Sequence, residues 1–126
     1  MKQVNQGIVL FFQIPPQKAK QLNQVCNRLN IKTKVVNPKD YNQPLGYLAG
    51  IQGFSKGNKT HAPETVAGEM LLFSGISSEL LDQFLSECKA SFIPPTPLKA
   101  IVTMHNIYWT PEQLYQELKK EHSLMS

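Results

Sequence analysis

The chain lacks most of the features that announce an activity. It has two cysteines, Cys26 and Cys88, in 126 residues. They are too few and too far apart for a disulfide scaffold, a zinc knuckle or a redox Cys-x-x-Cys pair. Both fall on apolar faces of expected helices and read as buried free thiols. No apolar run approaches the roughly 20 residues that span a bilayer, so no membrane partner is expected. The apolar run that follows Met1–Gly7 ends in Gln13-Ile14-Pro15-Pro16 with no small-residue cleavage site. A signal peptide is therefore rejected, and a cytoplasmic location is the expectation.

Glycine-rich phosphate cradles are missing as well. Gly53-Phe54-Ser55-Lys56-Gly57-Asn58-Lys59-Thr60 has the wrong glycine–lysine spacing, no strand enters it and no helix follows it. The first apolar strand runs into Pro15-Pro16, where a dinucleotide fold would need glycines. Phe73-Ser74-Gly75 is not a nucleophile elbow, because no Gly-x-Ser-x-Gly surrounds it. The three histidines, His61, His105 and His122, have no ligand spacing with one another or with cysteine. No metal and no cofactor is expected.

Acid is scarce in the first half. Residues 1–62 hold nine Lys or Arg against the single acid Asp40, a net +8, whereas residues 63–126 hold four Lys against eight acids, a net −4. Such polarity suits an anionic partner on one side or head-to-tail pairing of two copies. The basic residues that could form one surface are Lys18, Lys20, Arg28, Lys32 and Lys34. An RNA-recognition module would also project aromatics from its first and third strands. Phe11 and Phe12 lie in the first, but the third lacks the basic-glycine-aromatic pattern. Nucleic acid is not the expected partner.

At 41% apolar and 17% charged residues, the chain has the composition of one folded domain over 1–126. Gly7–Ile14 is a continuous apolar run, the pattern of a strand covered on both faces. Gln17–Asn30 places Leu22, Val25, Cys26 and Leu29 on one helical stripe, with Lys18, Lys20 and Arg28 on other faces. Ile31–Val36 alternates and reads as an edge strand guarded by Lys32 and Lys34. A long irregular loop follows at 37–68, with Pro44–Ile51 a short helix or packed turn and Gln52–Pro63 a mobile loop. Glu69–Ser74 is a second fully apolar strand. Ser77 then caps a helix that carries Leu81, Phe84, Leu85, Cys88 and Phe92 at helical spacing. Leu98–Met104 is the fourth strand. Thr110, Pro111 and Gln113 form a capping box that opens the last helix, with Trp109 as a hydrophobic staple on Leu114. Leu114, Leu118 and Leu124 or Met125 form its inward stripe. No repeat shows by period; strand followed by helix simply recurs.

This order predicts an α/β (α+β) fold with the two fully apolar strands central. A ferredoxin-like split β-α-β sandwich of four strands in the order 4-1-3-2, with an extra C-terminal helix, satisfies it. A small doubly wound parallel sheet is the alternative.

The densest stretch is Leu98–Leu114. Its Thr103, His105, Asn106 and Trp109 are the candidate ligand-binding residues, since a histidine beside an amide can orient or protonate a ligand. A folding role competes: Asn106 can make the turn, and no nucleophile or carboxylate lies near in sequence. The helix start at Ser74, Gly75 and Ser77 is a second candidate, for a small anion.

The same stretch carries a resemblance. Residues from Glu69 to Leu118, above all Lys99-Ala100 and the turn through Thr103, Asn106, Trp109 and Thr110, resemble a small bacterial family of domains of unknown function. Its members share a Lys-Ala strand and a Thr-x-x-Asn-x-x-Trp-Thr turn. The resemblance implies a stand-alone cytosolic bacterial protein and transfers no activity and no catalytic residue. The expectation is a non-enzymatic binding or regulatory domain that self-associates or meets a protein partner. A small enzyme or ligand binder at His105, Asn106 and Trp109, and a nucleic-acid binder through the basic half, are the alternatives.

Overall fold

The computed structural model describes residues 7–56 and 66–125. Four strands, β1 (Ile8–Phe12), β2 (Lys32–Val35), β3 (Met70–Ser74) and β4 (Leu98–Ile101), form one mixed sheet in the order β2-β1-β3-β4. Among the described residues four α-helices accompany it: α1 (Pro16–Arg28), α2 (Leu45–Leu48), α3 (Ser78–Ala90) and α4 (Pro111–Met125). The α/β class, the central β1–β3 pair and the edge position of β2 agree with the sequence. The strand order does not. β2 pairs parallel with β1, β4 pairs parallel with β3, and β1 and β3 are antiparallel. Both β-α-β units are thus unsplit, and the sheet is neither 4-1-3-2 nor wholly parallel. Exchanging two edge strands leaves the burial of all four unchanged, so apolar patterning cannot choose between these orders. Three residues (29–31) return the chain from α1, and β2 is set down directly beside β1 with α1 packed over it.

Both faces of the sheet are covered. Val9, Phe11, Leu71 and Phe73 meet α1 and α3 through Leu22, Val25 and Phe84. On the opposite face, Leu10, Phe12, Met70 and Leu72 meet α4 through Leu114 and Tyr115, and the 36–48 segment through Tyr41, Leu45 and Leu48. This double cover is why β1 and β3 are continuously apolar.

The recurrence of strand and helix proves to be a duplication in space. Ile8 corresponds to Met70, Pro16 to Ser78 and Arg28 to Ala90, at constant separation along the chain. At the centre of the antiparallel pair Leu10 faces Leu72, its own counterpart, and the flanking pairs Ile8–Ser74 and Phe12–Met70 interchange. A local two-fold axis therefore passes between Leu10 and Leu72. Details repeat across it. Gln13 (φ 56°) and Gly75 (φ 70°) turn the chain after β1 and β3. Asn30 (φ 62°) and Phe92 (φ 58°) occupy the left-handed position that ends each helix. The Ile31 N–H donates to the Cys26 carbonyl at 2.8 Å, and that of Ile93 to the Cys88 carbonyl at 3.0 Å. Leu10/Leu72, Phe11/Phe73, Ile14/Ile76, Gln21/Gln83, Cys26/Cys88 and Ile31/Ile93 are identical residues at matched positions, joined after the insertion by Val36/Val102. So few identities hide the repeat from a reading by period. The second unit differs by an insertion, Pro94–Pro97, after which the register resumes: the Val36 N–H bonds the Phe11 carbonyl and the Val102 N–H that of Phe73.

Several local expectations change. Lys18 is buried, not on an outer face of α1, because its ammonium meets Glu69 Oε1 at 2.6 Å. Phe92 lies beyond α3 and is 91% exposed, so it does not extend that helix's stripe. β4 ends at Ile101, since the chain turns at Thr103. On α4, Tyr115 joins Leu114 in the core. The Gly57–Thr60 part of the glycine loop, His61 and the side chains of Leu124 and Met125 lie outside the described residues.

Candidate functional site

The turn between β4 and α4 is built by its polar side chains. Asn106 Oδ1 accepts the Thr103 N–H at 2.9 Å, and its Nδ2 donates to the Ile101 carbonyl at 3.0 Å. Thr103 Oγ1 accepts the N–H groups of His105 and Asn106 at 3.2 and 3.1 Å. Asn106 is buried and Thr103 exposed. The turn is also a dock: the Leu45 and Gly46 N–H groups donate to the carbonyls of Trp109 and Ile107 at 2.8 and 2.9 Å, which holds α2 against it. Phe54 stacks at a tilt on Tyr108, with ring centroids 5.3 Å apart. His105 is exposed and its ring stands edge-on to Trp109 at 5.2 Å. The expected capping box is present, with the Thr110 N–H on Gln113 Oε1 at 3.0 Å and the Gln113 N–H on Thr110 Oγ1 at 3.4 Å. Trp109 packs on the core cluster that holds Leu114. Thr103, His105, Asn106 and Trp109 are thus brought together, with the polar groups of Thr103 and Asn106 engaged in closing the turn.

At the start of α3, Ser77 Oγ accepts the Leu80 N–H at 3.1 Å, a capping bond. Gly75 and Gly7 touch backbone to backbone: a Cβ on Gly7 would lie 2.4 Å from the Ser74 carbonyl oxygen and 2.6 Å from that of Gly75. Ser74 is buried as the last residue of β3.

The basic residues do not form one surface. Lys32 and Lys34 pair in register with Ile8 and Leu10, which puts them on the sheet face opposite α1. Lys34 donates to the Leu48 carbonyl at 3.1 Å. Lys18, Lys20 and Arg28 belong to α1. Lys18 is paired with Glu69, and Arg28 meets Glu87 at 3.1 Å. Both pairs join the basic half of the chain to the acidic half, so part of the charge polarity is spent inside the fold. Phe11 and Phe12 are buried and cannot stack bases.

A cleft that sequence reasoning missed lies between α3 and the outer edge of β4. It has a volume of about 310 Å³ and an apolar floor that includes Leu71, Phe84, Leu85, Cys88 and Ile93. Lys89 and Lys99 stand in its wall, and Thr96 lies buried there. A smaller hollow of about 150 Å³, lined by Phe73, Leu81 and Ile101, adjoins it across Leu85 and Lys99. The signal was the α3 stripe, which holds more apolar residues than the core takes: Leu85 is 38% exposed, and Ile101 on neighbouring β4 is 47% exposed. The two-fold axis shows how the cleft arises. Asn23 and Thr33 are the first unit's counterparts of Leu85 and Lys99, and there Thr33 Oγ1 donates to Asn23 Oδ1 at 2.6 Å. That bond ties α1 to β2. In the second unit no such tie exists between Leu85 and Lys99; the Lys99 ammonium turns instead to the Thr96 carbonyl at 2.6 Å.

Burial pushes the Cys26 thiol up to about 12, helped by neighbouring Cys88. Burial and then Glu87 push Cys88 to about 11, against the pull of Lys18 and Arg28. Neither thiol is poised as a nucleophile near neutral pH. Among the described residues, no group of three or more His, Cys, Asp or Glu could hold a metal ion. No helix among them is long and apolar enough to cross a membrane.

With this geometry established, comparison with known families is informative for the second unit. Residues 69–125 match the model of one family, DUF3783, described as a domain of unknown function. The DUF3783 segment begins one residue before β3 and takes in α3, β4 and α4. It thus contains one of the two repeated units, the inserted Pro94–Pro97, the β4–α4 turn and most of the cleft wall. It agrees with the resemblance drawn from the turn residues. Comparisons with curated proteins and with solved structures give no match.

Proposed function

We propose that the protein is a non-enzymatic binding domain whose binding place is the α3–β4 cleft. The observation that carries this reading is the cleft itself: an apolar floor with a few polar groups, within the size range of small-molecule sites. A difference between the two matched units adds support, since Thr33 bonds Asn23 in the first where Lys99 stands beside Leu85 in the second. The β4–α4 turn is a weaker place for a ligand, because Thr103 and Asn106 hold each other and the strand end. A screen of small apolar and polar fragments against ¹⁵N-labelled protein tests the choice. Shifts are expected to cluster at Leu85, Cys88 and Lys99. Shifts confined to 103–109 would overturn it in favour of the turn.

Self-association is the second reading, and the apolar side chains beside β4 favour it. Helices cover both sheet faces. Ile101 and Leu85 remain partly exposed next to each other, a surface on which a second copy could pack by side chains rather than by an added strand. Light scattering is expected to show a dimer that persists at high salt; a monomer at every concentration would remove this reading.

A further inference from the structure

We infer that the cleft takes a small apolar carboxylate, with its chain on the floor and its anionic head between Lys89 and Lys99. This inference rests on the cleft being the binding place and names the chemistry of its ligand. Size sets the chain. A volume of about 310 Å³ is at the small end of ligand sites, which suits a short chain.

Charge sets the head. Lys89 and Lys99 are the ionisable residues of the cleft wall apart from the Cys88 thiol, and no carboxylate lines it. Neither lysine belongs to an ion pair among the described residues, in contrast to Lys18 and Arg28 nearby. The Lys99 ammonium has one bond, to the Thr96 carbonyl, and an ammonium can donate three. The two-fold axis isolates the charges as a departure from the shared plan, for the counterparts of Lys89 and Lys99 in the first unit are the neutral Asn27 and Thr33.

The edge of β4 argues against an extended peptide as occupant. The Ile101 carbonyl, one of the groups a new strand would use, accepts from Asn106 Nδ2. The Lys99 side chain stands on the same short strand as a further guard.

Octanoate, 1-octanol and octylamine are the probes, titrated into the full ¹⁵N-labelled chain. Octanoate is expected to bind with saturable shifts at Leu85, Cys88, Ile93 and Lys99, about tenfold tighter than octanol, as one charge-assisted contact allows, and octylamine is expected to bind most weakly. Lys89→Gln/Lys99→Gln is expected to remove the preference of octanoate over octanol while leaving octanol affinity within about twofold. Equal affinity of octanoate and octanol, unaltered by the lysine changes, overturns the anionic ligand and leaves the cleft as the binding place. Saturable shifts from none of the three overturn both. Because both lysines sit at the surface, an unchanged denaturation midpoint checks that the variant is folded.

Discussion

Asn106→Ala is expected to lower the unfolding free energy by about 2–3 kcal/mol, measured by urea denaturation. Asn106 is buried, and its amide bridges the end of β4 to the start of the turn, with Oδ1 on the Thr103 N–H and Nδ2 on the Ile101 carbonyl. Alanine deletes both bonds and leaves a backbone donor and a backbone acceptor without partners. Each such loss costs about 1–3 kcal/mol when buried; exposure of Thr103 and Ile101 lets water repay part of it. The damage travels, because the carbonyls of Ile107 and Trp109 hold Gly46 and Leu45. Faster hydrogen exchange at those two amides is the local sign of a loosened dock. Asn106→Asp keeps the acceptor for the Thr103 N–H and loses the donor to the Ile101 carbonyl, so a smaller loss is expected. A change below about 0.5 kcal/mol for Asn106→Ala would show that the turn does not depend on this side chain.

Phe84→Ala is expected to cost more, about 3–5 kcal/mol. Phe84 is 1% exposed and meets Phe73 edge-on at 5.5 Å, where α3 presses on the sheet. Truncation removes the transfer energy of the ring and leaves a hole that a closely packed layer fills only in part. The ring also forms part of the cleft floor, so the hole joins an existing opening. That places the loss toward the lower end if solvent fills it. The two-fold axis supplies a control. The counterpart of Phe84 is Leu22, and Phe84→Leu puts the first unit's residue into the second, with an expected loss of about 1–2 kcal/mol. Equal losses for alanine and leucine would mean that ring shape, not volume, sustains this layer.

The elements and their ranking were legible in the residues for identifiable reasons. Continuous apolar runs at Val9–Phe12 and Met70–Phe73 required cover on both faces, and helices supply it. Ser77 and the Thr110–Gln113 box mark helix starts because free N–H groups at a first turn need acceptors. Trp109, placed just before the cap, packs on the core cluster that includes Leu114. Lys18 was misplaced because its partner, Glu69, lies on a distant segment that helical spacing cannot bring near. Phe92 was misread because a left-handed residue ended α3 at a bulky side chain, where glycine is usual. The cleft escaped because Leu85 looks like core until the neighbouring strand is seen to leave it uncovered.

By itself the chain determined which segments become strands and helices, which two strands lie innermost, and how the last helix begins. These depend on local periodicity, capping and side-chain polarity, quantities that neighbours along the chain supply. Only the tertiary structure decided that β2 and β4 flank their own units, that the two units are copies about an axis at Leu10 and Leu72, and that Thr33 bonds Asn23 in one copy while Lys99 lines a cleft beside Leu85 in the other. Each of those depends on residues far apart in sequence meeting in space. The apolar pattern is indifferent to such meetings, because it records how deeply a residue is buried and not what it is buried against.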